Sequence, residues 1–227
     1  IPFVTAKFAM SLDGKIATTS GESKWITGNK ARAYSHTIRA ESDAIMVGIN
    51  TILTDDPKLT ARDKHGVCYE RQPLRIVADS HGRTPIHAKM FSEPGETLVV
   101  SNRIDETQRK NLTKAGAQVE IMPRGNTLIN IPALLKSLAL RNKTTVLVEG
   151  GSTLLGTMFD ERLIDKVIAF IAPIIIGGIG APSSVKGRGV TRISEALRLH
   201  RVKVCEIGGD VVVVGYTSEE NDVHRDS

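Results

Sequence analysis

Short aliphatic runs closed by glycine, serine or aspartate recur along this chain, and most are followed by a stretch of helical period. That alternation constrains the fold more than any other feature. A strand that returns parallel to its predecessor needs a long crossover, and a helix is the usual one. The runs PFVTAKFAM (2–10), DAIMVG (43–48), LRIVADS (74–80), TLVVS (97–101), AQVEIM (117–122), TTVLVEGG (144–151) and DKVIAFIAP (165–173) read as strands. Helices are expected at NKARAYSHTIRAES (29–42), with Thr27 as N-cap, and at DETQRKNLTKAG (105–116), stopping at Gly116. Two more are expected at IPALLKSLALRN (131–142), with Pro132 in the first turn, and at STLLGTMFDERL (152–163). A strand near 200–206 and VVVVGY (211–216) have only GGD between them, so a hairpin and an antiparallel C-terminal edge are expected. The fold class is therefore α/β, a mostly parallel sheet flanked by helices. One domain over 1–216 and a polar tail over 217–227 complete the expected organisation.

Composition narrows the class. Of 227 residues, 41% are hydrophobic and 24% charged, enough apolar material for a core. Two cysteines without C-x-x-C spacing give no disulfide framework and no zinc site, which suits a reducing, cytoplasmic setting and no metal. The apolar stretch from Val167 is interrupted by Pro173 and Gly177 and is too short to span a bilayer. A formal charge of +5 suits phosphorylated small molecules. The basic run from Lys186 lacks the interleaved aromatics of single-strand readers, so it reads as a solvated face and not as a nucleic-acid surface.

In open α/β sheets ligands sit at the carboxyl ends of strands. Hydroxyls, glycines and a few charges cluster just past each strand here. In VEGGSTLLG the glycine pair lets the backbone turn sharply, and the free N–H groups that open the next helix attract phosphate. A glycine turn that serves packing alone is the other reading. Glu149 is either a solvated strand end or a group fixing a polar ligand. Arg39 and Arg62 either clamp a phosphate together or pair with surface acids such as Glu41 and Asp63. No G-x-S-x-G is present, and the paired H-x-E and P-C-x-x-C of zinc deaminases is absent.

Several segments in the same order carry a resemblance: AMSLDGKIA, GESKWIT, ARAYSHTIRAESDAIMVGINTILTDDPKLTAR, RIVADSHGRTP and LVEGGSTLLGTMFDERLIDKVIAFIAPIIIGG. They resemble the reductase of riboflavin biosynthesis. That enzyme is the C-terminal half of the bacterial bifunctional deaminase/reductase, or a separate protein in archaea and fungi. The resemblance implies a dihydrofolate-reductase-like fold, a homodimer, NADPH as cofactor, and a pyrimidine substrate whose 5-phosphoribosylamino group becomes ribitylamino. It places Ala9, Trp25, Thr51, Asp55, Ser80 and the segment Gly151, Ser152, Thr153, Leu154, Leu155, Gly156, Thr157 against the cofactor. It places Ser23, Arg39, Leu59, Arg62 and Glu149 toward the substrate, and makes Lys7 and Glu149 the groups that position it and handle the proton. NADH stays open beside NADPH, since Arg83 and Arg103 could each meet a 2′-phosphate. The deaminated and the diamino pyrimidine stay open as substrates. The deaminase domain is absent, so the chain is either a standalone reductase or one half of a bifunctional parent. A pterin reductase and a non-catalytic nucleotide-binding protein of the same fold are the alternatives.

Overall fold

A computed structural model describes residues 1–122 and 129–219; the expected tail beyond 219 lies outside the described residues. The chain divides into two compact units, Ile1–Pro2 with Ser35–Gly151, and Phe3–Tyr34 with Ser152–Ser227.

The first unit holds five parallel strands in the order β5-β4-β3-β2-β6. They are β2 (Ala44–Gly48), β3 (Leu74–Ala78), β4 (Thr97–Ser101), β5 (Ala117–Ile121) and β6 (Thr145–Glu149). The first four residues of β2 are all buried, as are those of β3 and all of β4, so both sheet faces are covered there. That is why these strands read as aliphatic runs, interrupted in β3 by the buried Arg75, and not as alternating ones. The helix α3 (Glu106–Lys114) starts where Asp105 accepts the backbone N–H of Gln108, and Gly116 follows it at φ 95°. Asn130 caps α4 (Ile131–Leu140) in the same way, and Leu134, Leu135 and Leu138 are fully buried.

One element was not expected. Residues 49–55 form a seven-residue helix, α2 (Ile49–Asp55), where only a loop was read. Its β-branched content gives poor intrinsic propensity. Burial decides the matter: Ile49 and Ile52 enter the core beside Ile45, Val77 and Val99.

The second unit holds β1 (Phe3–Ser11), β7 (Lys166–Ala172), β9 (Asp210–Tyr216) and β8 (His200–Ile207), in the order β1-β7-β9-β8. β1 and β7 are parallel, whereas β9 runs antiparallel to both of its neighbours. Gly208 and Gly209, at φ 66° and 93°, form the hairpin turn. The expected antiparallel edge is therefore present. The helix α1 (Asn29–Ala40) begins one residue later than a Thr27 cap requires. Gly28 takes that place: its carbonyl accepts the N–H of Arg32 and its own N–H is held by Asp210 Oδ2 at 2.7 Å.

The helix α5 (Ser152–Asp160) is strapped by the start of the basic run. The Lys186 N–H donates to the Ser152 carbonyl at 2.9 Å, and Asp160 accepts the backbone N–H groups of Arg188 and Gly189. A Cβ added to Gly156 would lie 1.6 Å from the Lys186 carbonyl oxygen. Backbone cannot yield to that overlap as a flexible side chain could. Gly156→Ala should therefore lower the unfolding free energy by roughly 2–3 kcal/mol and abolish hydrogen-exchange protection of the Lys186 amide. Urea unfolding checks the first and amide exchange the second. Wild-type values for both would contradict close backbone contact at this glycine.

Candidate active site

In the first unit the site grows from the last turn of α1 and the end of β6. Arg39 donates Nε to Glu149 Oε1 at 3.0 Å and Nη2 to Oε2 at 2.6 Å. The two side chains are only 17% and 9% exposed, so water screens the pair weakly. Burial by itself would lower the Arg39 pKa, yet the Glu149 carboxylate outweighs it and holds the guanidinium above its ordinary value.

Arg39 also donates Nη1 to the Thr60 carbonyl at 3.1 Å. His36, one turn earlier on α1, reaches the same carbonyl through Nδ1 at 3.0 Å. A carbonyl only accepts, so Nδ1 carries the proton. Burial first, and the charge of Arg39 second, lower the His36 pKa. Arg62 arrives from the loop after α2 and donates Nε to the Thr60 hydroxyl at 2.8 Å and Nη2 to Glu93 Oε2 at 2.6 Å. Glu93 also takes Lys58 at 2.5 Å, and its carboxyl is held below the usual range by that bond above all. The two expected arginines thus converge on one residue, and their acidic partners are Glu149 and Glu93 instead of Glu41 and Asp63.

The remaining expected residues of this unit lie along the strand ends. Gly150 and Gly151 have φ 81° and 80°, the left-handed region that glycine alone enters cheaply. A Cβ added at Gly150 would lie 3.5 Å from Thr51 Oγ1, so Thr51 stands directly beside the glycine turn. Asp55 ends the same helix as Thr51. Leu59, at φ 53°, sends its side chain into the core and leaves its main chain as the part able to meet a ligand. Ser80 is buried and accepts the Arg103 N–H at its carbonyl, 3.0 Å away.

In the second unit Lys7 and Ala9 share one face of β1, since side chains alternate along a strand. Lys7 Nζ lies 5.1 Å from the Phe170 ring centroid, and Tyr34 tilts against the same ring at 6.0 Å. Trp25 is 70% exposed, so it is no core residue. Arg32 covers one face of its indole at 4.2 Å and fastens the loop by donating to the Thr27 carbonyl. Ser23 is half-buried two residues before it. In α5 Ser152 and Thr157 are half-buried and Thr153 is exposed, whereas Leu154 and Leu155 point into the interior. Gly156 is covered by the strap, which gives this glycine a packing role.

The segment after β1 carries a further anchor. Asp13 accepts the Ser11 hydroxyl at 2.6 Å and the backbone N–H groups of Ile176 and Gly177, which fixes the glycine loop after β7. The Ser11 bond first, then the two backbone donors, bring its carboxyl down to about 2.

Sequence reasoning missed Thr60 and Glu93. Thr60 stood between two expected residues, Leu59 and Arg62, but nothing in a lone threonine announces that it gathers side chains from two elements. Glu93 gave no signal. Among the described residues no helix is long and apolar enough to cross a membrane.

Comparisons with known proteins bear on this geometry. The model of the RibD C-terminal domain family matches residues 2–213. The chain is 38% identical over 214 residues to the riboflavin biosynthesis protein RibD of Aquifex aeolicus, covering 93% of this chain and 57% of that protein. The chain thus spans little more than half the length of the RibD relatives it matches. It is 37% identical to the 2,5-diamino-6-ribosylamino-4(3H)-pyrimidinone 5′-phosphate reductase of Methanothermobacter thermautotrophicus, covering 93% of this chain and 96% of that one. Among solved structures, Acinetobacter baumannii RibD superposes with a TM-score of 0.82 at 33% identity, over 95% of this chain and 58% of that one. Enterococcus faecalis dihydrofolate reductase does so at 0.50 and 10% identity, over 95% and 97%, a likeness of fold alone.

Two outcomes follow from the geometry. Glu149→Leu strands a poorly hydrated guanidinium and should cost roughly 3–5 kcal/mol in urea unfolding. Adding Arg39→Met should recover part of that loss; equal costs for the single and double variants would show that the pair is not coupled. For Asp13 the folded pKa lies below the unfolded one, so its stabilisation is complete above roughly pH 4 and is lost as pH falls through the folded value. A carbon-detected NMR titration should place its midpoint near 2; a midpoint near 4 would remove the anchor.

Proposed function

The chain belongs to the RibD C-terminal domain family, and on that premise we propose that it is an oxidoreductase. In this reading it uses NADPH to reduce the ribosylamino group of a phosphoribosylamino-pyrimidine to the ribitylamino form. The observation that carries the reading is the 37% identity to a protein named 2,5-diamino-6-ribosylamino-4(3H)-pyrimidinone 5′-phosphate reductase, 96% of which this chain covers. The same reading includes a homodimer and a cytoplasmic location.

The residues present fit a dinucleotide. The turn at Gly150 and Gly151 leaves bare backbone beside Thr51, where a side chain would fill the space. In the first unit Thr51, Asp55, Ser80 and the main chain of Gly151 are assigned to the cofactor. The resemblance assigns Ala9, Trp25 and the α5 residues Ser152 and Thr153, all of the second unit, to the same ligand. Leu154, Leu155 and Thr157 belong to the same helix, with the two leucines fixing its seat. Arg83, which donates Nη2 to Asn50 Oδ1 at 3.3 Å, and Arg103, whose backbone N–H is held by the Ser80 carbonyl, are the two candidates to meet a 2′-phosphate.

When bound, a reduced nicotinamide would supply the hydride needed to reduce the anomeric carbon of the opened substrate. The protein's part is orientation and charge. Arg39 and Arg62 attract the substrate phosphate, with the Leu59 main chain next to Thr60 in the same unit, and the resemblance assigns Ser23 of the second unit to the substrate as well. Glu149 has both carboxylate oxygens facing Arg39, which suits it to positioning more than to proton donation. Lys7 Nζ is the group able to hydrogen-bond the opened ribose and to pass a proton to its oxygen.

Loss of absorbance at the reduced-nicotinamide band tests the reading, with the diamino and the deaminated pyrimidine and with dihydrofolate. Oxidation of NADPH by one of the two pyrimidines and none by dihydrofolate is expected, with NADH slower. Turnover of dihydrofolate alone would assign a pterin reductase. Binding of NADPH without oxidation by any of the three would leave a nucleotide-binding protein.

A further inference from the structure

Thr60 is only 1% exposed, so it cannot itself touch a ligand. Yet three side chains from two elements end on it. Its carbonyl receives His36 Nδ1 and Arg39 Nη1 from α1, and its hydroxyl receives Arg62 Nε from its own loop. Each arginine is held a second time by a carboxylate, Arg39 by Glu149 and Arg62 by Glu93. A guanidinium anchored at Nε and at one terminal nitrogen loses its rotation about the long side chain and presents its remaining N–H groups in one direction.

From this geometry we infer that Thr60 is a positioning residue, which sets the guanidinium groups of Arg39 and Arg62 as one anion-binding pair. His36 is its support on the α1 side. The inference rests on the reading of these arginines as the phosphate site and extends it to residues that the site's chemistry does not include. Thr60 acts by two separate atoms. The carbonyl is insensitive to substitution of the side chain, so α1 stays docked in a Thr60 variant. The hydroxyl is the atom that turns Arg62. Its loss leaves Arg62 held by Glu93 and by the Gly66 carbonyl, which accepts Nη1 at 2.9 Å, but without the bond that fixes Nε, and the pair is no longer preset. The cost of re-ordering a long side chain then falls on binding of the anion and much less on the step at the far end of the substrate.

The charges around the node agree with this arrangement. Arg39, Arg62 and Lys58 face Glu149 and Glu93, and Arg75 adds a further cation near Glu93, so positive charge is in excess at the node. A neutral His36 adds none, and burial together with Arg39 opposes its protonation. The node therefore offers an anion directed donors without a carboxylate that is not already matched by a cation.

Thr60→Val removes the hydroxyl at nearly constant volume, whereas Thr60→Ser keeps it. His36→Phe removes the Nδ1 donor, whereas His36→Asn retains an N–H near that position. Two measurements apply to each variant: steady-state kinetics with NADPH and the phosphorylated pyrimidine, and calorimetric binding of ribose 5-phosphate. Thr60→Val should raise KM about tenfold more than it lowers kcat and weaken ribose 5-phosphate about tenfold, the effect of losing one hydrogen bond to a charged group. Thr60→Ser should restore both to within about twofold. The Arg62 Nε–H resonance should shift in Thr60→Val and return in Thr60→Ser. Equal losses in the valine and serine variants would overturn the inference, because a steric role would explain them. Wild-type binding in Thr60→Val would overturn it as well. Should the wild type turn over neither pyrimidine, the proposed reaction fails, while the ribose 5-phosphate arm still decides the role of Thr60.

Discussion

Glu149 and Arg39 grip each other across 110 positions of sequence with two well-formed hydrogen bonds. Much of the first unit's functional geometry follows from that contact. Glu149 is the last residue of β6, and Gly150 and Gly151 follow immediately in left-handed conformations. Fixing the carboxylate therefore fixes the entry to the glycine turn. At the other end, Arg39 holds the last turn of α1 against Thr60, and Thr60 holds Arg62. An apolar pair could fill the same volume with equal or better stability. What it could not do is orient donors at a strand end. The ion pair is better understood as a device of geometry than of stability, and its desolvation is offset in part by the hydrogen bonds of Arg39 to Glu149 and to the Thr60 carbonyl.

The second unit achieves order at its own strand ends by a different means, with carboxylates that collect backbone N–H groups. Asp13 ties the loop after β7 to the end of β1, and Asp160 ties the strap to α5. Both lie near glycine-rich stretches, where the backbone has the least stiffness of its own. Asp210 does the same service for the start of α1. Such bonds hold main chain in place without filling the space around it. That suits segments expected to face a flat ring and a sugar phosphate. Trp25 fits this pattern: a cation covers one face of its ring and fastens its loop, while the side chain stays largely in solvent.

The architecture was largely legible because its determinants are local. Most strands of the parallel set are short aliphatic runs, and Pro132 and Gly116 mark helix ends by their chemistry. The helix α2 escaped because its residues favour a strand or loop, and only the tertiary burial of Ile49 and Ile52 makes it helical. Thr27 was a reasonable cap by residue type, but Gly28 displaced it through a bond to Asp210, 182 positions away. The site divides in the same manner. Arg39, Arg62 and Glu149 were visible as residue types placed after strands or on a helix face, while their partnership was not. Thr60 and Glu93 became visible only when distant segments came together. Gly156, which the resemblance places against the cofactor, also meets the strap in close backbone contact, and that contact joins segments distant in sequence.

The proposed reaction transfers hydride to one carbon of a sugar, and isotope placement tests it most directly. Turnover with NADPH deuterated at the transferable position should give a ribitylamino product carrying one deuterium at the former anomeric carbon, read by mass spectrometry and proton NMR. Product without deuterium, deuterium on the pyrimidine ring, or a ribose that stays closed while the cofactor is consumed would contradict the account.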